Sequence, residues 1–159
     1  MKISFDSNGN VFVDGNDVSL AIRTNEMSMG ASDVSKLQKV RERLVKMQQD
    51  ISKDKGFILD GRDIGTVVLK DAELKIFLVA SSEARADRRI KEYIEKGIEF
   101  NREEVIADIE RRDYQDSHRA HSPLKKADDA IEVDSSNLTI DEVVNVIKVR
   151  LDELGVNYD

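Results

Sequence analysis

The chain has 159 residues, a formal charge of -7 and no cysteine. That length bounds one domain with a hydrophobic core, and the lack of cysteine excludes disulfides and thiolate metal sites. With 40% hydrophobic and 36% charged residues it reads as soluble and ordered, and its acidic balance argues against a general nucleic-acid or anionic-membrane surface.

No apolar run approaches a membrane span, and the start does not read as a signal peptide. The cytoplasm is the expected compartment. Ile3-Ser-Phe5 and Val11-Phe-Val13 alternate as strands do, with Asn8-Gly9 between them suited to a tight hairpin turn. Asp14-Gly-Asn16 marks a further turn. A long helix is expected to begin near Ser32, because Val34, Leu37, Val40, Leu44, Met47 and Ile51 recur near the helical period. Ser32 can cap it, or Ser32 and Arg23 can meet a polar ligand.

Three short apolar runs follow: Phe57-Ile-Leu59, Lys75-Ile-Phe-Leu-Val79 and Ala130-Ile-Glu-Val133. Helical stretches separate them, so they are expected as parallel strands of an α/β layer. Ser81-Ser-Glu-Ala84 opens a helix that Gly97 stops. Asn101-x-x-Glu104 and Thr139-x-x-Glu142 each read as an N-cap with a reciprocal glutamate. Met27, Met29, Tyr93 and Tyr114 read as packing or surface residues. His118 and His121 are three apart but lack a supporting ligand motif, so they read as exposed polar residues rather than metal ligands.

Three groups carry chemistry. Asp60-Gly-Arg-Asp-Ile-Gly-Thr-Val67 follows the first apolar run and delivers Asp60, Arg62 and Asp63 onto a glycine-flanked corner. Such corners at strand carboxyl ends are where α/β proteins bind ligands; the plainer reading is a turn with a local ion pair. In Glu110-Arg-Arg-Asp-Tyr-Gln-Asp-Ser-His-Arg119, the residues Arg112, Asp116 and Arg119 share one face of a continuous helix. Asp116 can orient the two guanidinium groups toward a phosphate; a solvated charge run is the alternative. Arg85, Arg88 and Arg89 crowd a helix start, where cations are unfavourable, and Glu83 and Asp87 offset part of that.

Taken together the sequence resembles bacterial cytidylate kinases. The resemblance runs through Asp17-Val-Ser, Ile22-Arg-Thr24, Ala31-Ser32, Lys39-Val-Arg-Glu42, the Asp60–Val67 corner, Lys75-Ile-Phe-Leu78, Ala80-Ser-Ser-Glu-x-Arg85, Arg88-Arg89, Glu110-Arg-Arg-Asp113, Asp116, Arg119, Pro123-Leu124, Ala127-Asp128 and Val133-Asp-Ser135. It implies transfer of the γ-phosphoryl group of ATP to CMP or dCMP, with Mg2+, in the cytoplasm; a monomer is expected for full-length family members, and association of copies is the alternative for a form without the first strand. It also implies roles. Ser32, Arg41 and Asp63 read the pyrimidine and sugar end. Arg62 and Arg112 hold the monophosphate, with Asp116 and Arg119 in the lid region. Arg88 approaches the phosphates of ATP. Arg62, Arg112 and Arg119 supply the catalytic charge.

The family pattern also includes a first strand and a Gly-x-x-x-x-Gly-Lys-Ser/Thr loop, which these 159 residues do not contain. The expected fold is therefore a P-loop-kinase-like parallel α/β sheet flanked by helices, with its first strand and loop missing. Residues 1–50 are expected to be the remnant of a substrate-binding insertion and its following helix. Residues 51–159 are expected to be a partial kinase core with a lid region near 85–120. A non-catalytic CMP-binding module is the alternative reading.

Overall fold

In a computed structural model, residues 2–35, 37–54, 56–119 and 122–156 are described. They form two compact units, residues 1–45 and 46–159. In the first, β1 (Ile3–Phe5) pairs antiparallel with β2 (Val11–Val13), which pairs with β3 (Asn16–Asp17). Ile3 faces Val13 and Phe5 faces Val11, so the alternation seen in sequence sets the register. The expected tight turn at Asn8-Gly9 is instead a wider loop. The Asp6 carboxylate accepts the Asn8 and Asn10 backbone N–H groups at 2.9 and 2.8 Å, which wraps the chain around a side chain. The two-residue turn falls at Asp14-Gly15, between the paired Val13 and Asn16.

The expected single helix from Ser32 is two helices, α1 (Asn25–Ser35) and α2 (Gln38–Ile51). Between them the Leu37 N–H donates to the Val34 carbonyl at 3.1 Å, a three-residue turn rather than a continued α-helical bond. The apolar period crosses this break because a period reports a face, not continuity.

In the second unit, β4 (Ile76–Val79) and β5 (Ile131–Asp134) pair in parallel, with Ile76 opposite Ile131 and Val79 opposite Asp134. The connection runs through α3 (Ser82–Glu95) and α4 (Arg102–His118), and α5 (Ile140–Glu153) follows β5. This is a mixed α/β fold with a parallel sheet. Residues 57–59 are not a strand: Phe57 is 49% and Ile58 96% exposed, and no strand among the described residues pairs with them. An apolar run becomes a strand only when a ladder takes up its backbone groups.

Local signals fixed the helix ends. Ser81 accepts the Ala84 N–H at 3.1 Å and caps α3, and Gly97 ends that segment at φ +64°, where a side chain is strained. Asn101 caps α4 through the Glu103 and Glu104 N–H groups. Its expected reciprocal partner, Glu104, makes no return bond among the described residues. Thr139 and Glu142 form the complete reciprocal pair at α5. Ala86, Val105 and Ile109 form a buried cluster with Ile90, Tyr93 and Ile106 packed around it. Ala86 is fully buried, and its small side chain lets α3 and α4 approach closely.

Candidate functional site

The candidate site lies beyond Leu59, at residues 60–68. Asp63 is buried at 4% exposure, and its carbonyl accepts the Val67 and Val68 N–H groups at 2.8 and 3.3 Å. Those bonds start a π-helical turn over Ile64–Val68, a form that recurs at functional positions. A Cβ on Gly61 would stand 3.0 Å from Ile64 Cγ1, so the corner is tight enough to favour glycine. Gln49 of α2 steadies the far end of the turn, donating to the Val68 carbonyl at 3.1 Å.

Arg62 leaves this corner and donates through Nε to Asp116 at 2.9 Å. Arg119, at the end of α4, approaches the same carboxylate at 3.9 Å, and its Nε donates to the Ser122 carbonyl. Asp116, only 18% exposed, thus holds two guanidinium groups from segments far apart in sequence. The Asp116 carbonyl also accepts the Leu124 N–H at 2.8 Å, folding the chain back after α4. Arg112 lies one helical turn before Asp116. It is exposed and makes no hydrogen bond or ion pair among the described residues. The structure therefore brings Arg62, Asp116 and Arg119 together and leaves Arg112 extended into solvent.

The crowded arginines of α3 are each accounted for. Arg85 pairs with Asp113 of α4, which ties α4 to α3. Arg89 donates to the Tyr93 hydroxyl at 2.7 Å and lies 5.5 Å over that ring. Arg88 donates to the Ser135 carbonyl and lies 3.5 Å from its hydroxyl. Around these contacts the carboxyl ends of β4 and β5 are tied together. The Ser136 hydroxyl, followed by its N–H, holds Asp134 below the ordinary carboxylate range, and the same hydroxyl accepts the Ser81 N–H at 2.8 Å.

Arg41 belongs to the first unit, partly buried on α2, and Ser32 lies within α1. His121 falls outside the described residues, while His118 is exposed and stacked on Tyr114 at 4.0 Å. Among the described residues no group of three His, Asp or Glu could hold a metal ion. Asp113 appears in the sequence only as the end of a motif, without its partner, and Gln49 carries no signal there. Their partners are 28 and 19 residues away, beyond the reach of any helical or turn pattern.

The second unit thus combines a parallel strand pair joined by a helical crossover, the build of an α/β protein, with two arginines gathered on one carboxylate. The family model for cytidylate kinase matches residues 1–152, and the chain belongs to that family. It is 55% identical over 139 residues to the cytidylate kinase of Lactobacillus johnsonii, covering 87% of this chain and 60% of that protein. It is 53% identical over 150 residues to the cytidylate kinase of Thermosipho melanesiensis, covering 94% of this chain and 69% of that protein. The cytidylate kinase of Streptococcus agalactiae serotype III is 51% identical over 149 residues, or 94% of this chain and 66% of that protein. The chain thus spans about 60% of the length of the Lactobacillus relative.

Proposed function

We propose that the chain serves a nucleoside monophosphate kinase that transfers the γ-phosphoryl group of ATP to CMP or dCMP, giving CDP or dCDP. The observation that carries this reading is Asp116 holding Arg62 and Arg119 together beside the glycine-flanked corner. Arg62 and Arg112 bind the acceptor's monophosphate. Bidentate guanidinium groups suit phosphate oxygens, and their fixed charge opposes the negative charge that two phosphates bring together. Arg119 adds to that field, and Asp116 keeps it oriented. Asp63, Ser32 and Arg41 read the base and sugar end. Arg88 meets the phosphates of ATP.

Mg2+ accompanies ATP in such reactions, where it neutralises charge on the β- and γ-phosphates. The described residues offer no cluster for it, so no residue of this chain is assigned to the metal. No covalent intermediate is needed, since positioning and charge do the chemistry. Among the described residues no helix is long and apolar enough to cross a membrane. A cytoplasmic monomer suits the reading. Non-catalytic CMP binding is the second reading.

A coupled assay of ATP-dependent CMP phosphorylation tests the proposal. The 159-residue polypeptide alone is expected near background, with turnover when a segment bearing that loop is joined in front. Robust turnover without the added loop would show that ATP is held differently. Turnover of another nucleotide but not CMP or dCMP would overturn the substrate assignment. CMP binding without turnover in either form would favour the second reading.

A further inference from the structure

We propose that Ser135 is a positioning residue that fixes Arg88 for the phosphates of a nucleoside triphosphate, an inference that rests on the role given to Arg88 above. Ser135 stands just past β5 and is 3% exposed. Its N–H and its hydroxyl both donate to the Val79 carbonyl at the end of β4, at 2.8 and 3.0 Å. With the hydroxyl proton committed to Val79, the oxygen is left as an acceptor. Arg88 Nη1 lies 3.5 Å from it, and Arg88 Nη2 donates to the Ser135 carbonyl. That carbonyl also accepts the Leu138 N–H at 3.2 Å. One buried residue thus joins the ends of both parallel strands and holds a guanidinium beside them.

The chemistry of this hold differs from that of the neighbouring arginine. Arg85 is neutralised by the Asp113 carboxylate. Arg88 is held by a carbonyl and a hydroxyl, both neutral, and has no ion pair among the described residues. Its position is therefore restricted while its charge remains uncompensated. Arginine has five donors, and this arrangement leaves others for a ligand. The carboxyl ends of parallel strands are the side where α/β folds bind ligands.

The test is calorimetric titration of these 159 residues, joined in front to a segment bearing the Gly-x-x-x-x-Gly-Lys-Ser/Thr loop, with MgATP and, separately, CMP, in the wild type, Ser135→Ala, Ser135→Thr, Arg88→Ala and the Ser135→Ala/Arg88→Ala double variant. Ser135→Ala is expected to weaken MgATP about 3- to 10-fold with CMP unchanged, and Ser135→Thr to keep wild-type affinity. The double variant is expected to match Arg88→Ala, because the two act through one group. Equal losses for MgATP and CMP, or additive losses in the double variant, would overturn the inference and leave Ser135 a structural residue. Unchanged MgATP affinity in Arg88→Ala, or no MgATP binding by the wild type, would overturn the reading of Arg88 as well. If Ser135→Ala fails to fold, the Arg88 Nη–H NMR signals of the wild type decide: resolved, slowly exchanging signals support the clamp, and averaged ones reject it.

Discussion

Arg62 and Asp116 are joined across 54 residues by a 2.9 Å hydrogen bond, linking the glycine-flanked corner to the last turn of α4. The bond couples the position of a proposed phosphate ligand to the helix that carries Arg112 and Arg119. Its partial exposure limits its value to stability, since such pairs contribute at most about 1 kcal/mol. Its effect is expected in ligand affinity instead.

Asp116→Asn keeps the shape of the side chain and removes its charge. CMP affinity is expected to fall about 10-fold, the scale of one charge-assisted hydrogen bond. Thermal stability should barely move. Calorimetry and a melting curve on the same sample separate the two, and a large loss of stability with unchanged affinity would make Asp116 structural.

The α3–α4 packing should be sensitive to cavities. Ile109 is 5% exposed in the cluster with Ala86 and Val105. Ile109→Ala is expected to cost about 2–5 kcal/mol, from lost burial plus the space left behind. Urea unfolding measures this, and a cost below about 1 kcal/mol would mean that the cluster collapses around the smaller residue.

Thr139 and Glu142 form a reciprocal cap at the start of α5. Thr139→Ala leaves the Glu142 N–H without its 3.3 Å hydroxyl acceptor and is expected to cost about 0.5–2 kcal/mol. Urea unfolding of this variant checks the figure.

Acid should weaken the same cap. The Thr139 backbone N–H, then its hydroxyl, hold the Glu142 carboxyl below its ordinary value. A depressed carboxylate binds more protons when unfolded, so its contribution is present above the unfolded value. It is lost as pH falls below about 4.3 and through the lower folded value. Asp129 behaves alike, through its hydrogen bond from Lys75. Glu142→Gln is expected to flatten this acid limb in pH-dependent unfolding, and an unchanged slope would rule out the cap as its source.

What was legible in the sequence was local. Ser81, Asn101 and Thr139 announced helix starts because a cap acts within one turn. The runs at Ile76–Val79 and Ile131–Asp134 became strands because each supplies the other's ladder. Phe57-Ile-Leu59 has the same composition but no paired strand among the described residues, and composition does not reveal partners. Asp116 and Arg119 stand 3.9 Å apart, a proximity that their three-residue spacing allows. Arg112 fitted the same spacing yet stays exposed, because a shared face does not supply a partner. The hold of Asp113 on Arg85 and of Ser135 on Arg88 depends on tertiary packing that no short pattern encodes.

The central claim, that the arginine set recognises the phosphate of a cytidine nucleotide, is tested most directly by titrating CMP and cytidine into the wild type and Arg62→Ala. The account predicts that CMP binds the wild type more tightly than cytidine does. It predicts that Arg62→Ala weakens CMP about 10- to 100-fold, the scale of a hydrogen bond to a charged group, and leaves cytidine unchanged. CMP binding no tighter than cytidine, or equal CMP affinity in both proteins, would contradict it.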